Sequence, residues 1–73
     1  MLYRLAIGYK NINGGRSYSE EVFCDEEVAR KYYLKEASDN GTFLVKLYTA
    51  SFENGVLENK ELILESDKLT PGE

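Results

Sequence analysis

Between Thr42 and Glu65 two segments rich in apolar residues flank a central Asn54-Gly55 pair, and the turn preference of that pair reads the whole stretch as a β-hairpin. A two-residue type I′ loop needs positive φ at both positions, which Asn and Gly tolerate, and its twist matches that of the flanking strands. Counting outward from the turn places Phe52 opposite Leu57, Ser51 opposite Glu58, Thr49 opposite Lys60, Tyr48 opposite Glu61, Leu47 opposite Leu62, Lys46 opposite Ile63 and Val45 opposite Leu64. Successive side chains point to opposite sides of a strand. Phe43, Val45, Leu47, Leu62 and Leu64 are therefore expected on one apolar face. Leu44, Tyr48, Phe52, Leu57 and Ile63, with Lys46 among them, are expected on the other, which is more apolar than a purely solvated face would be.

Upstream, Leu2 to Lys10 alternates as a strand, with Tyr3, Leu5, Ile7 and Tyr9 on one side. Asn13-Gly14 reads as a two-residue turn, with Gly14-Gly15 able to serve in a longer loop. The shorter register sets Tyr9 against Tyr18 and Leu5 against Val22. The second strand, Ser17 to Phe23, has few apolar residues and belongs at a sheet edge, where Ser and Glu discourage unwanted pairing. A helix follows. Asp25 is the best capping residue at its start, and Glu26 and Glu27 complement the helix dipole. Val28, Ala29, Tyr32, Tyr33 and Ala37 gather on one helical face, and Leu34 falls outside it. Ser38-Asp39-Asn40-Gly41 ends the helix, with Gly41 or Asn40 expected in the left-handed conformation.

The plan is β-β-α-β-β, an α+β domain over residues 1–65 with a flexible tail at 66–73. An isolated two-stranded ribbon is marginal in water, so both hairpins must share one antiparallel sheet. The apolar first and third strands take its middle, giving the order 2-1-3-4 with the helix packed on one face. A helix of roughly fifteen residues is only about 22 Å long and shields one face. The reverse face is left to collect Leu2, Ala6, Phe23, Leu44, Tyr48, Phe52, Leu57 and Ile63, interspersed with Arg4, Lys10, Glu21, Lys46, Glu61 and Glu65. Contiguous apolar surface of this kind marks an interaction site on a soluble chain.

Composition narrows the chemistry. The 73 residues contain no histidine, the side chain best suited to proton transfer near neutrality. The lone Cys24 is followed by Asp25, Glu26 and Glu27, which oppose thiolate formation. Gly14-Gly15-Arg16 joins strand to strand, so no helix N-terminus follows it to receive phosphate. The acids lack the spacing of a calcium loop. Neither an enzyme nor a cofactor or metal site is predicted. The lone thiol and the absence of a secretory pattern in Met1–Leu5 predict a cytoplasmic protein, and no apolar run approaches bilayer length.

These features predict a non-enzymatic interaction module that docks on another protein, or on a second copy of itself, through Leu44, Lys46, Tyr48, Phe52, Leu57 and Ile63. A second expectation uses the net charge of −4: an acidic inhibitor or accessory protein of phage or mobile-element type could occupy the basic channel of a nucleic-acid enzyme. A third is a platform for single-stranded nucleic acid built on Tyr48, Phe23 and Phe52 with Arg4, Lys10 and Lys46. The acidic balance disfavours that platform.

Overall fold

The computed structural model describes residues 1–67 and arranges them as β1 (Leu2–Lys10), β2 (Arg16–Phe23), α1 (Glu26–Ala37), β3 (Thr42–Glu53) and β4 (Val56–Asp67). The four strands form one antiparallel sheet in the order β2-β1-β3-β4, with the helix against one face. Ser66 and Asp67 continue β4; the rest of the expected tail, 68–73, lies outside the described residues.

At the second hairpin the turn is as expected. Asn54 and Gly55 both have positive φ, 55° and 80°, and Phe52 faces Leu57 and Ser51 faces Glu58. Beyond Ala50, which faces Asn59, the ladder departs from simple counting. Thr49 faces Glu61 and Tyr48 faces Leu62, so Lys60 is an extra residue. A second irregularity makes Ile63 extra, after which Leu47 faces Leu64, Lys46 faces Glu65 and Val45 faces Ser66. The cause lies in the run Leu62-Ile63-Leu64, whose middle residue strict alternation would turn away from the helix. A bulge allows neighbouring side chains to share a side, and both Ile63 and Leu64 pack against the core. Leu62, opposite Tyr48, moves to the face without the helix. The expected positions of Ile63 and Leu62 are thus exchanged. Lys60, freed from the ladder, forms an ion pair with Glu53.

The first hairpin shifts as well. Lys10 faces Arg16 across a five-residue loop, Asn11 to Gly15, rather than the two-residue Asn13-Gly14 turn. Its polar side chains account for the extra length. The Asn13 Oδ1 accepts from the Gly15 N–H at 3.0 Å, the Asn11 Oδ1 accepts from the Ser17 hydroxyl at 3.1 Å, and Gly14, at φ 90°, donates its N–H to the Asn11 carbonyl. The register moves by one residue, and every β2 side chain changes face. Tyr18 faces Gly8, Val22 faces Arg4 and Phe23 faces Tyr3. Phe23 thus packs on the helix side, its ring 5.1 Å from that of Tyr32. Tyr18 and Val22 lie on the reverse, and Glu21 on the helix side.

Helix α1 begins as expected: the Asp25 carboxylate accepts from the N–H groups of Glu27 and Val28 at 2.8 and 3.3 Å. Glu26 and Arg30 pair one turn apart at 2.8 Å. Its end differs. Ser38 caps it in right-handed geometry with its hydroxyl on the Leu34 carbonyl, and neither Asn40 nor Gly41 takes positive φ. The Asp39 carboxylate accepts from the Gly41 N–H at 2.7 Å and so turns the chain without a left-handed residue.

Ala29 and Tyr33 descend from the helix onto Leu5, Ile7, Val45 and Leu47 to make the core, ringed by Tyr3, Phe23, Ala37, Ile63 and Leu64. Twelve helical residues span about 18 Å in a molecule 38 Å long. The β3–β4 hairpin extends past β1, whose Leu2 pairs with Ala50, so its end from Ser51 to Glu58 projects beyond the central strand.

Candidate functional site

The sheet face opposite the helix is assembled from alternate residues of all four strands. β1 places Leu2, Arg4, Ala6 and Gly8 there, and β2 contributes Arg16, Tyr18, Glu20 and Val22. β3 supplies Leu44, Lys46, Tyr48, Ala50 and Phe52, which meet Leu57, Leu62 and Glu65 on β4.

One end is closed by Phe43. A register shift between Gly8 and Tyr9 makes Phe43 an extra residue of β3, with Leu44 facing Gly8 and Thr42 facing Tyr9. Phe43 therefore does not join the core under the helix, where strict alternation would send it. Its ring lies over Gly8, edge-on to Tyr18 at 5.7 Å, with the Arg16 guanidinium 5.1 Å from its centroid. Phe43 is 3% exposed in this position. A side chain at residue 8 would occupy the same space, since a Cβ there would stand 2.8 Å from the Phe43 Cζ.

Arg4 occupies the middle. Its Nη2 meets the Glu20 carboxylate at 2.8 Å, and its Nη1 makes a long contact, 3.5 Å, to the Leu57 carbonyl. Arg4 is paired with Tyr48, while Leu57 sits opposite Phe52, four positions further along β3. The hairpin end must therefore bend over this face to bring that carbonyl within reach. Ala50, on the same face, is fully buried. Lys46 and Glu65 form a looser pair at 3.5 Å.

The apolar remainder is open. Tyr18 is 65% exposed and Phe52 64%, with Val22 and Leu62 also exposed. Leu2, Leu44, Tyr48 and Leu57 are half-buried among them. Beside Tyr18 the surface dips into a depression of about 310 Å³ lined by Ala6, Ile7, Tyr18, Ser19, Glu20 and Leu44.

Of the six residues expected to bind a partner, the structure gathers Leu44, Lys46, Tyr48, Phe52 and Leu57 on this face and removes Ile63 to the core side. It brings in Tyr18, Val22 and Leu62, which sequence reasoning had placed beneath the helix. The signal for the first two was the Asn-rich loop; for Leu62 it was the unbroken run of three apolar residues. Of the cations expected on this face, Arg4 is engaged by Glu20 and Lys46 by Glu65, while Arg16, which the shifted register adds, lies over the Phe43 ring. Among the acids, Glu26 is paired with Arg30, and Glu53 with Lys60.

Among the described residues no helix is long and apolar enough to cross a membrane, and no three Cys, Asp or Glu side chains are grouped to hold a metal ion. Cys24 is exposed at the junction of β2 and α1, immediately before the Asp25 cap. The chain thus forms a small antiparallel sheet covered by one helix. No protein-family model, curated protein or solved structure matches it.

Proposed function

We propose that this chain is a non-enzymatic protein-interaction module that docks on another protein, or on a second copy, through the sheet face opposite its helix. The observation supporting this reading is the concentration of exposed Tyr18, Val22, Phe52 and Leu62 on one uncovered face, because buried aromatic anchors typically dominate such interfaces. Tyr48 and Leu57 extend the patch, and the Arg4–Glu20 and Lys46–Glu65 pairs supply polar contacts within it. Leu34 provides an internal control. It is as exposed as Phe52, at 63%, but stands alone on the outer side of the helix.

A photo-activatable side chain placed at Phe52 or Leu62 is expected to capture the partner in the source cell, and the same group at Leu34 is not. Phe52→Asp combined with Leu62→Asp should abolish capture from a probe at Tyr48 while leaving the circular dichroism spectrum unchanged. Equal capture from Leu34 and Phe52, or none from either, would defeat the reading.

A further inference from the structure

Independently of what binds the open face, we propose that β2 is a self-pairing edge, joining two copies about a two-fold axis at Tyr18 into one eight-stranded sheet. The two outer strands of the sheet are unlike. β4 is interrupted twice, at Lys60 and Ile63, and such bulges spoil an edge for further pairing. β2 pairs with β1 without a break from Arg16 to Phe23, so its outer side offers a regular row of main-chain groups.

Which groups point outward follows from one hydrogen bond. The Asn11 N–H donates to the Gly15 carbonyl at 2.7 Å, directly continuing the ladder in which Tyr9 faces Ser17. Hydrogen-bonded and non-bonded pairs alternate along an antiparallel ladder. Odd-numbered β2 residues therefore direct their N–H and C=O groups to β1, and Arg16, Tyr18, Glu20 and Val22 direct theirs away. A second copy can bond only where even-numbered residues meet even-numbered residues, so the two-fold axis must be centred on a single β2 residue.

Charge selects that residue. With Tyr18 opposite its counterpart, Arg16 faces the second copy's Glu20, and Glu20 faces the second copy's Arg16. Ser17 meets Ser19 on the other side of the sheet, and about six main-chain hydrogen bonds close between the copies. Centring the axis on Ser17 sets Glu20 against a glycine. Centring it on Ser19 sets Arg16 against Val22, centring it on Arg16 opposes two arginines, and centring it on Glu20 or Glu21 opposes two glutamates, like charges being unfavourable across a sheet face. Each Glu20 carboxylate, already on Arg4, gains a second guanidinium. The glutamates that deter other strands thus become contacts for this one.

Charge reversal tests the seam. The unmodified protein should sediment as a dimer at high micromolar concentration. Arg16→Glu and Glu20→Arg should each weaken association at least tenfold, since both pairs become repulsive. An equimolar mixture of the two variants should associate again, because one copy then carries two acids where the other carries two arginines. Phe52→Asp should leave this dimer intact, separating it from association through the open face. A monomeric unmodified protein, or a dimer indifferent to both reversals, overturns the proposal. If Glu20→Arg fails to fold through loss of the Arg4 pair, amide exchange decides. The Tyr18 and Glu20 amides should slow as protein concentration rises, and rates independent of concentration overturn the proposal.

Discussion

Replacing Gly8 by alanine adds one methyl group to a strand, a change that usually helps a β-sheet by stiffening the unfolded chain. Here it should be harmful. The new Cβ would lie 2.8 Å from the Phe43 Cζ, 3.0 Å from the Tyr18 Cε1 and 3.1 Å from the Phe43 Cε2, whereas carbon atoms rest near 3.5–4.0 Å. Relieving the overlap means lifting the Phe43 ring, and with it the edge contact to Tyr18 and the Arg16 cation above it. Overpacking of this kind costs about 1–3 kcal/mol. The loss of backbone freedom in the unfolded chain returns about 0.4–1 kcal/mol. Mid-range values leave a net destabilisation of about 1.3 kcal/mol, or a Tm lowered by about 5–10 °C for a domain of this size. Urea denaturation followed by circular dichroism measures it, and a double-mutant cycle assigns the cause. In a Phe43→Leu background the ring edge is gone, so Gly8→Ala should cost at least about 0.5 kcal/mol less. A neutral Gly8→Ala variant, or one equally costly in both backgrounds, would refute the placement of Phe43 over Gly8.

Two further outcomes are expected. Burial first, and then the negative charge of Glu65, raise the Tyr33 pKa above the ordinary 10.0; since the folded state holds the phenol proton more tightly, stability is complete below that value and falls as pH rises through the folded pKa. Tyr33→Phe should flatten the decline measured as pH rises above about 10, and an unchanged slope would contradict it. Arg4→Ala should release the hairpin end, speeding amide exchange across Ser51–Glu58 while leaving the exchange of α1 unchanged; uniform rates across both would show that Arg4 does not hold the hairpin down.

The plan of strands and helix was legible because its punctuation is chemical. Asn54-Gly55 admits the left-handed conformation, Asp25 caps a helix, and the apolar first and third strands claim the middle of the sheet. The open face was legible as an imbalance of area, one short helix against four strands. Its membership was less so, because a strand shifted by one residue turns all its side chains over. The five-residue first loop depends on Asn11 and Asn13 accepting hydrogen bonds from Ser17 and Gly15, and a shorter turn on Asn13-Gly14 satisfies local preference equally well. The bulges at Phe43, Lys60 and Ile63 depend on contacts across the sheet: a ring needing the space over Gly8, and a core able to accept Ile63 and Leu64 together. Such demands belong to the packed molecule, and no residue announces them by its own propensity.

The two interruptions in β4 also bear on how far any sheet built from this chain could grow. With that margin roughened and the opposite one regular, the proposed pairing uses one rim of each copy. A rim that joins its own likeness head to head is consumed in the act, so assembly stops at a pair and no ribbon can extend from it.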